Sequence, residues 1–247
     1  MSNLVKTPLE SVTFKTDVVP SSVNSTDDQM WSPLAPKMRP QEKSQDTTST
    51  PPLIFKIITV GSSGVGKSCL IHRYSKGFYP DVDATTTVSP EYIINHISVQ
   101  DVRMQFRILD SVGQERFRSM ARPYYRGCHC AIIAYDIGNK DTFIDLSMWL
   151  VEVDACCDPI VKVLVGNKLD KERQVTREEG ETFARQHGFD FFIETSAKTG
   201  ASVENLFFDI AEQLMLKYKD GQIEAEVLPD VIRLGSVSNY TKNRCSC

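Results

Sequence analysis

The sequence predicts an α/β fold, a mainly parallel sheet covered by helices on both faces. Two observations carry that prediction. Between residues 53 and 218, short apolar runs of strand length alternate with longer stretches of helical period. The glycine-rich and polar motifs of the same region fall, apart from one on a longer connection, where a predicted strand runs into a helix. In folds of this class, ligands sit beyond the carboxyl ends of the strands.

Residues 53–60 (LIFKIITV) read as a buried strand, and 66–76 as the helix that follows it. Residues 93–99 and 104–109 form a strand pair, the second with Met104, Phe106 and Ile108 on one face. Residues 130–137 are another apolar strand, and 141–155 a helix carrying Phe143, Leu146, Trp149 and Leu150. A strand at 160–165 precedes a helix at 177–187. A last strand at 191–194 precedes the helix 202–218, whose apolar stripe reads as core packing.

Residues 1–52 hold 22 Ser, Thr or Pro and no Gly, with no sustained apolar period. Such a segment buries too little surface to offset its ordering entropy and reads as disordered. Pro51-Pro52 marks the boundary, and residues 219–247 read as a flexible tail. The expected organisation is an extension (1–52), one domain (53–218) and a tail (219–247).

The chain has 247 residues, 41% hydrophobic and 24% charged, enough for one domain with a full core. A net charge of −4 excludes the electrostatic footprint of a nucleic-acid-binding protein. No apolar run is long enough to span a bilayer, no signal-like segment opens the chain, and Ser2 stands where myristoylation needs Gly. A cytosolic chain is expected. Seven cysteines without framework spacing suit a reducing compartment. Cys128 with Cys130, and Cys156 with Cys157, lack a His/Cys cluster at zinc spacing and read as idle thiols. None of the four histidines has a partner that suggests acid–base catalysis, and Lys171-Glu172-Arg173 reads as a solvated loop.

Gly61-Ser62-Ser63-Gly64-Val65-Gly66-Lys67-Ser68 matches G-x-x-x-x-G-K-[ST] over its full length. Its glycines let the backbone wrap a phosphate, so that successive N–H groups and the helix N-terminus face the anion. Lys67 is placed to reach the β- and γ-phosphates, and the Ser68 hydroxyl to ligate Mg²⁺. Asp110-Ser111-Val112-Gly113-Gln114 follows the next strong strand; there an Asp can hold a water on the metal, and Gly113 can offer its N–H to the γ-phosphate. Asn167-Lys168-Leu169-Asp170 follows the strand 160–165, where a carboxylate accepts two hydrogen bonds from guanine that adenine does not offer. Thr195-Ser196-Ala197-Lys198 follows the last strand and can bring backbone N–H groups to guanine O6. Each motif alone is weak except the first; their order and placement give the set its weight.

The set GSSGVGKS, DSVGQERF, NKLD and TSAK resembles the Ras superfamily of small GTPases. Tyr124-Tyr125-Arg126-Gly127, Trp149-Leu150 and the terminal Cys-Ser-Cys look like its Rab branch. The resemblance spans about residues 53–218. It implies a P-loop NTPase fold with a six-stranded sheet, GTP or GDP and Mg²⁺ as ligands, and switch loops that order around the γ-phosphate. Carried over by position, Ser63, Gly64, Val65, Gly66, Lys67, Ser68 and Cys69 contact the nucleotide, with Gly113 at the γ-phosphate. Asn167, Lys168, Asp170, Ser196, Ala197 and Lys198 surround the base, with Tyr79, or else Phe78, against its edge. Ser68, Asp110 and Thr87 hold the metal, although Thr85 and Thr86 compete with Thr87. Gln114 orients the attacking water, with Lys67 and Thr87 as its catalytic companions. Cys245 and Cys247 match a double prenylation signal.

The same resemblance implies an exchange factor, an activating protein, effectors and a prenyl-carrying dissociation inhibitor as partners. It also implies a monomer on the cytoplasmic face of intracellular membranes, with a cytosolic pool. No residue reads as an arginine finger, so intrinsic hydrolysis is expected at on the order of 10⁻⁴ to 10⁻³ s⁻¹. Ser89 and Pro90 replace the Gly and its neighbour usual in the first switch, and Ser111-Val112 replace Thr-Ala before Gly113. These departures alter surfaces that partners read and leave two alternatives open, a weakly cycling nucleotide-bound scaffold and a Ras-type signalling GTPase.

Overall fold

The structure is a computed structural model that describes residues 51–80, 91–110, 123–156 and 161–227. The run LIFKIITV forms β1 (Leu53–Val60), buried along its length except at Lys56. A strand apolar on both faces must be covered on both, and β1 lies in the middle of the sheet. β2 (Glu91–Val99) and β3 (Val102–Asp110) make an antiparallel hairpin that turns at Gln100 and Asp101, with φ of 50° and 64°. β4 (Cys130–Asp136), β5 (Val161–Asn167) and β6 (Phe191–Glu194) are parallel to β1, giving the order β2-β3-β1-β4-β5-β6. The chain leaves β1 to one side for β2 and β3, then crosses to the other for β4 to β6. The crevice beyond the carboxyl end of β1 is therefore the topological switch point of the sheet.

Helices α1 (Lys67–Lys76) and α5 (Val203–Lys219) cover one face. Their Leu70, Ile71, Leu206, Phe207 and Ile210 join Phe55, Ile57, Phe106 and Val163 in one apolar cluster. Tyr74 of α1 stacks on Phe207 of α5 with ring centroids 3.8 Å apart. On the other face, α2 (Lys140–Ile144) and α3 (Leu146–Cys156) pack on β4, and α4 (Arg177–Gln186) packs on β5 and β6. α4 begins with a capping box, Thr176 accepting from the Glu179 N–H while the Glu179 carboxylate accepts from the Thr176 N–H.

The expected strands and helices are present, some with bounds shifted by one or two residues (β5 runs on to Asn167), and two larger differences stand out. The helix expected over 141–155 is two helices, α2 and α3, broken at Asp145, whose backbone caps α2 while its carboxylate reaches another element. A seventh strand, β7 (Glu226–Val227), pairs antiparallel with Leu53 and Ile54, in a stretch read from sequence as flexible tail. β4 joins β1 only from Ile57 onward, so the first residues of β1 would otherwise show an unpaired edge. The segment into β7 is anchored by buried Ile223, by the Arg107–Glu226 ion pair at 3.0 Å and by His129. The His129 Nδ1 accepts from the Lys56 N–H at 2.9 Å, so its Nε2 carries the proton donated to Glu224 O at 3.1 Å.

Phe207→Ala empties the contact between α1 and α5. The expected loss is about 3–5 kcal/mol of unfolding free energy, read from denaturant unfolding of the full chain with the m-value unchanged.

Candidate functional site

The loop between β1 and α1 is shaped by what surrounds it. Gly61 has φ 140°, and a Cβ there would lie 2.2 Å from the Ala134 carbonyl oxygen of β4. Gly66, at the N-cap of α1, has φ 95°, and a Cβ there would lie 2.5 Å from Asn167 Nδ2. No side chain caps α1 and no acid stands in its first turn, in contrast to α4. The opening N–H groups of α1 are thus left to a ligand, an anion by preference. Lys67 folds back over the loop, its Nζ donating to Gly61 O at 2.8 Å and Ser62 O at 3.1 Å. Burial pushes the Lys67 ammonium down to about 8, although Asp110 opposes the shift. The loop is also held from outside: Ser62 Oγ donates to Asp145 Oδ2 at 2.7 Å and accepts from Trp149 Nε1 at 3.1 Å. Those contacts explain the break between α2 and α3.

Asp110 ends β3 beside this loop. Burial raises its carboxyl pKa, against a hydrogen bond from Ser68 and the charges of Lys67 and His72. Its Oδ1 is buried without a hydrogen-bond partner among the described residues. An acceptor stranded in this way, next to a hydroxyl and an ammonium, fits a hard divalent cation that keeps most of its waters, as Mg²⁺ does. No cluster of three or more His, Cys, Asp or Glu suited to a metal occurs among the described residues.

The other half of the site grows from β5 and β6. Asn167 is buried; its Nδ2 donates to Val65 O at 2.9 Å, and its Oδ1 accepts from Thr195 Oγ1 and from the Ala197 N–H, each at 3.2 Å. Lys168 has φ 68° and extends its Nζ to Asp136 Oδ2 at 2.8 Å. Burial alone would raise the Asp136 carboxyl, but the Lys168 bond, the Gly138 N–H and Lys171 outweigh it and hold the value low. Asp170 is exposed, with one oxygen accepting from Ser196 Oγ. The Tyr79 phenol is pushed up by neighbouring Cys69, then by burial and by Asp170, so these three side chains share one corner.

The structure therefore brings Ser63 to Cys69, Asp110, Asn167 to Asp170 and Ser196 to Lys198 to one edge of the sheet, with Tyr79 beside them. Thr85, Thr86, Thr87, Ser89, Pro90, Ser111, Val112, Gly113, Gln114, Cys245 and Cys247 lie outside the described residues. Four features of the site make contacts that the sequence reading did not assign. Asp136 closes an otherwise apolar strand at the same edge as Asp110, a legible signal. Arg173 forms a two-pronged ion pair with buried Glu194, and Lys171 reaches Asp136, so that stretch is not simply a solvated loop. Ser62 with Asp145, and Arg73, carry no signal in one sequence because their partners are distant in the chain.

The profile of the Ras family matches residues 56–216. The chain is 37% identical over 188 residues to the Ras-related protein Rab-4B of Rattus norvegicus and equally to that of Mus musculus, covering 75% of this chain and 87% of each relative. The chain belongs to the Ras family. Within it, this is a Rab-like small GTPase, an enzyme class that converts GTP to GDP and phosphate.

A diphosphate brought against Lys67 restores its ammonium. Proton uptake on GDP binding should therefore grow as pH rises from about 7.5 to about 9, because the unliganded lysine loses its proton across that window. Calorimetry in buffers of different ionisation enthalpy reads the uptake. Lys67→Arg, charged throughout, should show no growth, and proton release in the wild type would contradict the buried lysine.

Proposed function

We propose that this chain is a Mg²⁺-dependent GTP switch of intracellular membrane traffic, anchored on the cytoplasmic face by prenyl groups at Cys245 and Cys247, with a cytosolic pool. What supports the reading most is the convergence of Lys67, Asp110 and Asn167 around an uncapped helix N-terminus. Asp170 and the 195–198 loop receive guanine, with Tyr79 along its edge and Lys168 lying over the phosphate loop. Ser68, Asp110 and Thr87 would hold Mg²⁺, and neutralising charge between the β- and γ-phosphates is the chemistry it supplies there. Lys67 and the Gly113 N–H stabilise charge on the transferring group. Gln114 orients a water in line with the γ-phosphorus; the new P–O bond forms as the bond to the β-phosphate oxygen breaks. An activating protein supplies the missing arginine, an exchange factor empties the site, effectors read the GTP form, and a dissociation inhibitor carries the prenylated GDP form.

Single-turnover hydrolysis tests the switch. Gln114→Leu should slow GTP cleavage, alone and with an activating protein, while GDP affinity stays within about twofold because the side chain does not hold the nucleotide. Asp170→Asn should turn preference from guanine toward xanthine nucleotides, whose extra carbonyl suits an amide donor, by on the order of 10²-fold. ATP displacing GDP at comparable concentration would defeat the guanine assignment.

No helix among the described residues is long and apolar enough to cross a membrane. On the lipid-anchor reading, each buried CH₂ contributes about 0.8 kcal/mol. Replacing Cys245 or Cys247 singly by Ser should leave reversible attachment, and replacing both should leave none, by cell fractionation. A double variant still on membranes would place the anchor elsewhere.

A further inference from the structure

Helix α1 carries a side chain that the phosphate loop does not use. Arg73 donates from Nε to Ala197 O at 2.8 Å, from one terminal nitrogen to Lys198 O, and from the other to Gly77 O at 3.0 Å. Two of these acceptors belong to the loop after β6, and the third ends α1, two residues before Tyr79. A guanidinium is planar with donors in a fixed fork, so it sets the direction of each carbonyl it meets.

The Ala197 carbonyl and the Lys198 N–H are opposite ends of one planar, trans peptide unit. Holding Ala197 O on Arg73 therefore turns the Lys198 N–H away from Arg73. The neighbouring amides are already engaged: Ser196 N–H on Ala201 O at 3.0 Å, Ala197 N–H on Asn167 Oδ1 at 3.2 Å, and Thr199 N–H on Ser196 Oγ at 3.1 Å. The Lys198 N–H takes part in no hydrogen bond among the described residues, which leaves it as the donor of this loop open to a ligand. A cation bonded to the carbonyl of a peptide also polarises the N–H at its other end and strengthens that donor.

We infer that Arg73 is a positioning residue for base recognition, aiming and polarising the Lys198 amide toward the 6-keto oxygen of the purine. The inference rests on the reading above that this loop and Asp170 receive guanine. The functional consequence is discrimination at purine position 6, set from the helix whose N-terminus faces the phosphate loop.

The test uses the full chain and four probes: GDP, 6-thio-GDP, whose sulfur is a poor acceptor at position 6, IDP, which lacks the 2-amino group facing Asp170, and ADP. In the wild type both analogues should bind more weakly than GDP. In Arg73→Ala the preference for GDP over 6-thio-GDP should fall by about fivefold, the worth of one well-placed hydrogen bond, while the preference over IDP is unchanged. Arg73→Lys keeps one donor for Ala197 O and should recover part of the lost preference, which guards against a variant that merely folds poorly. Two ratios that fall together, or neither falling while GDP affinity drops, would reduce Arg73 to a general brace and overturn the inference. A wild type indifferent to IDP and to ADP would instead overturn the guanine reading itself.

Discussion

The site depends on one buried amide. Asn167 meets the phosphate loop through Val65 O and the loop after β6 through Thr195 Oγ1 and the Ala197 N–H. A buried amide left without partners costs on the order of 1–3 kcal/mol per group, so the loops of β1, β5 and β6 are obliged to close on it at fixed separation. The same amide explains Gly66, since a Cβ there would collide with Nδ2. The glycine of the phosphate loop and the asparagine of the base motif, 101 residues apart (167 − 66), express one steric constraint.

Charge divides the site into parts that are complete and parts that await a ligand. Asp136 is satisfied by Lys168, Gly138 and Lys171 and titrates low, as a structural carboxylate does. Lys67 and Asp110 move the opposite way: the ammonium is lowered and the carboxyl raised, each chiefly by burial. Their partial attraction to each other does not offset the lost hydration. On the proposed reading, a polyphosphate and a divalent cation would bring the countercharges these two groups lack, on the side of the cleft where burial drives the shifts. Asp170 is exposed and accepts a hydrogen bond from Ser196 Oγ.

The sheet was legible because β1 and β4 are nearly continuous apolar runs and β3 alternates, and β1 and β6 have the bounds the sequence predicts. The phosphate and base motifs were legible because they are local, each within eight residues at a strand end. What escaped was contact between distant segments. Asp145 looks like an ordinary helix residue until Ser62, 83 positions earlier, accounts for its break in the helix. Arg73 carries no sequence signal until two of its three acceptors, more than 120 positions later, are in view. β7 is two residues long, too short for any period, and exists because β1 starts before β4 can pair with it.

That short strand also sets how the tail leaves the domain. β7 pairs with Leu53 and Ile54, at the end of β1 opposite the phosphate loop. From Val227 to Cys245 there are 18 residues (245 − 227), a span of at most about 60 Å when fully extended. On the lipid-anchor reading proposed above, the chain would leave for its anchor from the edge bearing β7, His129 and the Arg107–Glu226 pair. The carboxyl edge, where Lys67, Asp110 and Asn167 converge, faces the other way. On that reading, pairing the start of the tail to the far end of β1 would leave the nucleotide edge open to the soluble partners that a switch needs.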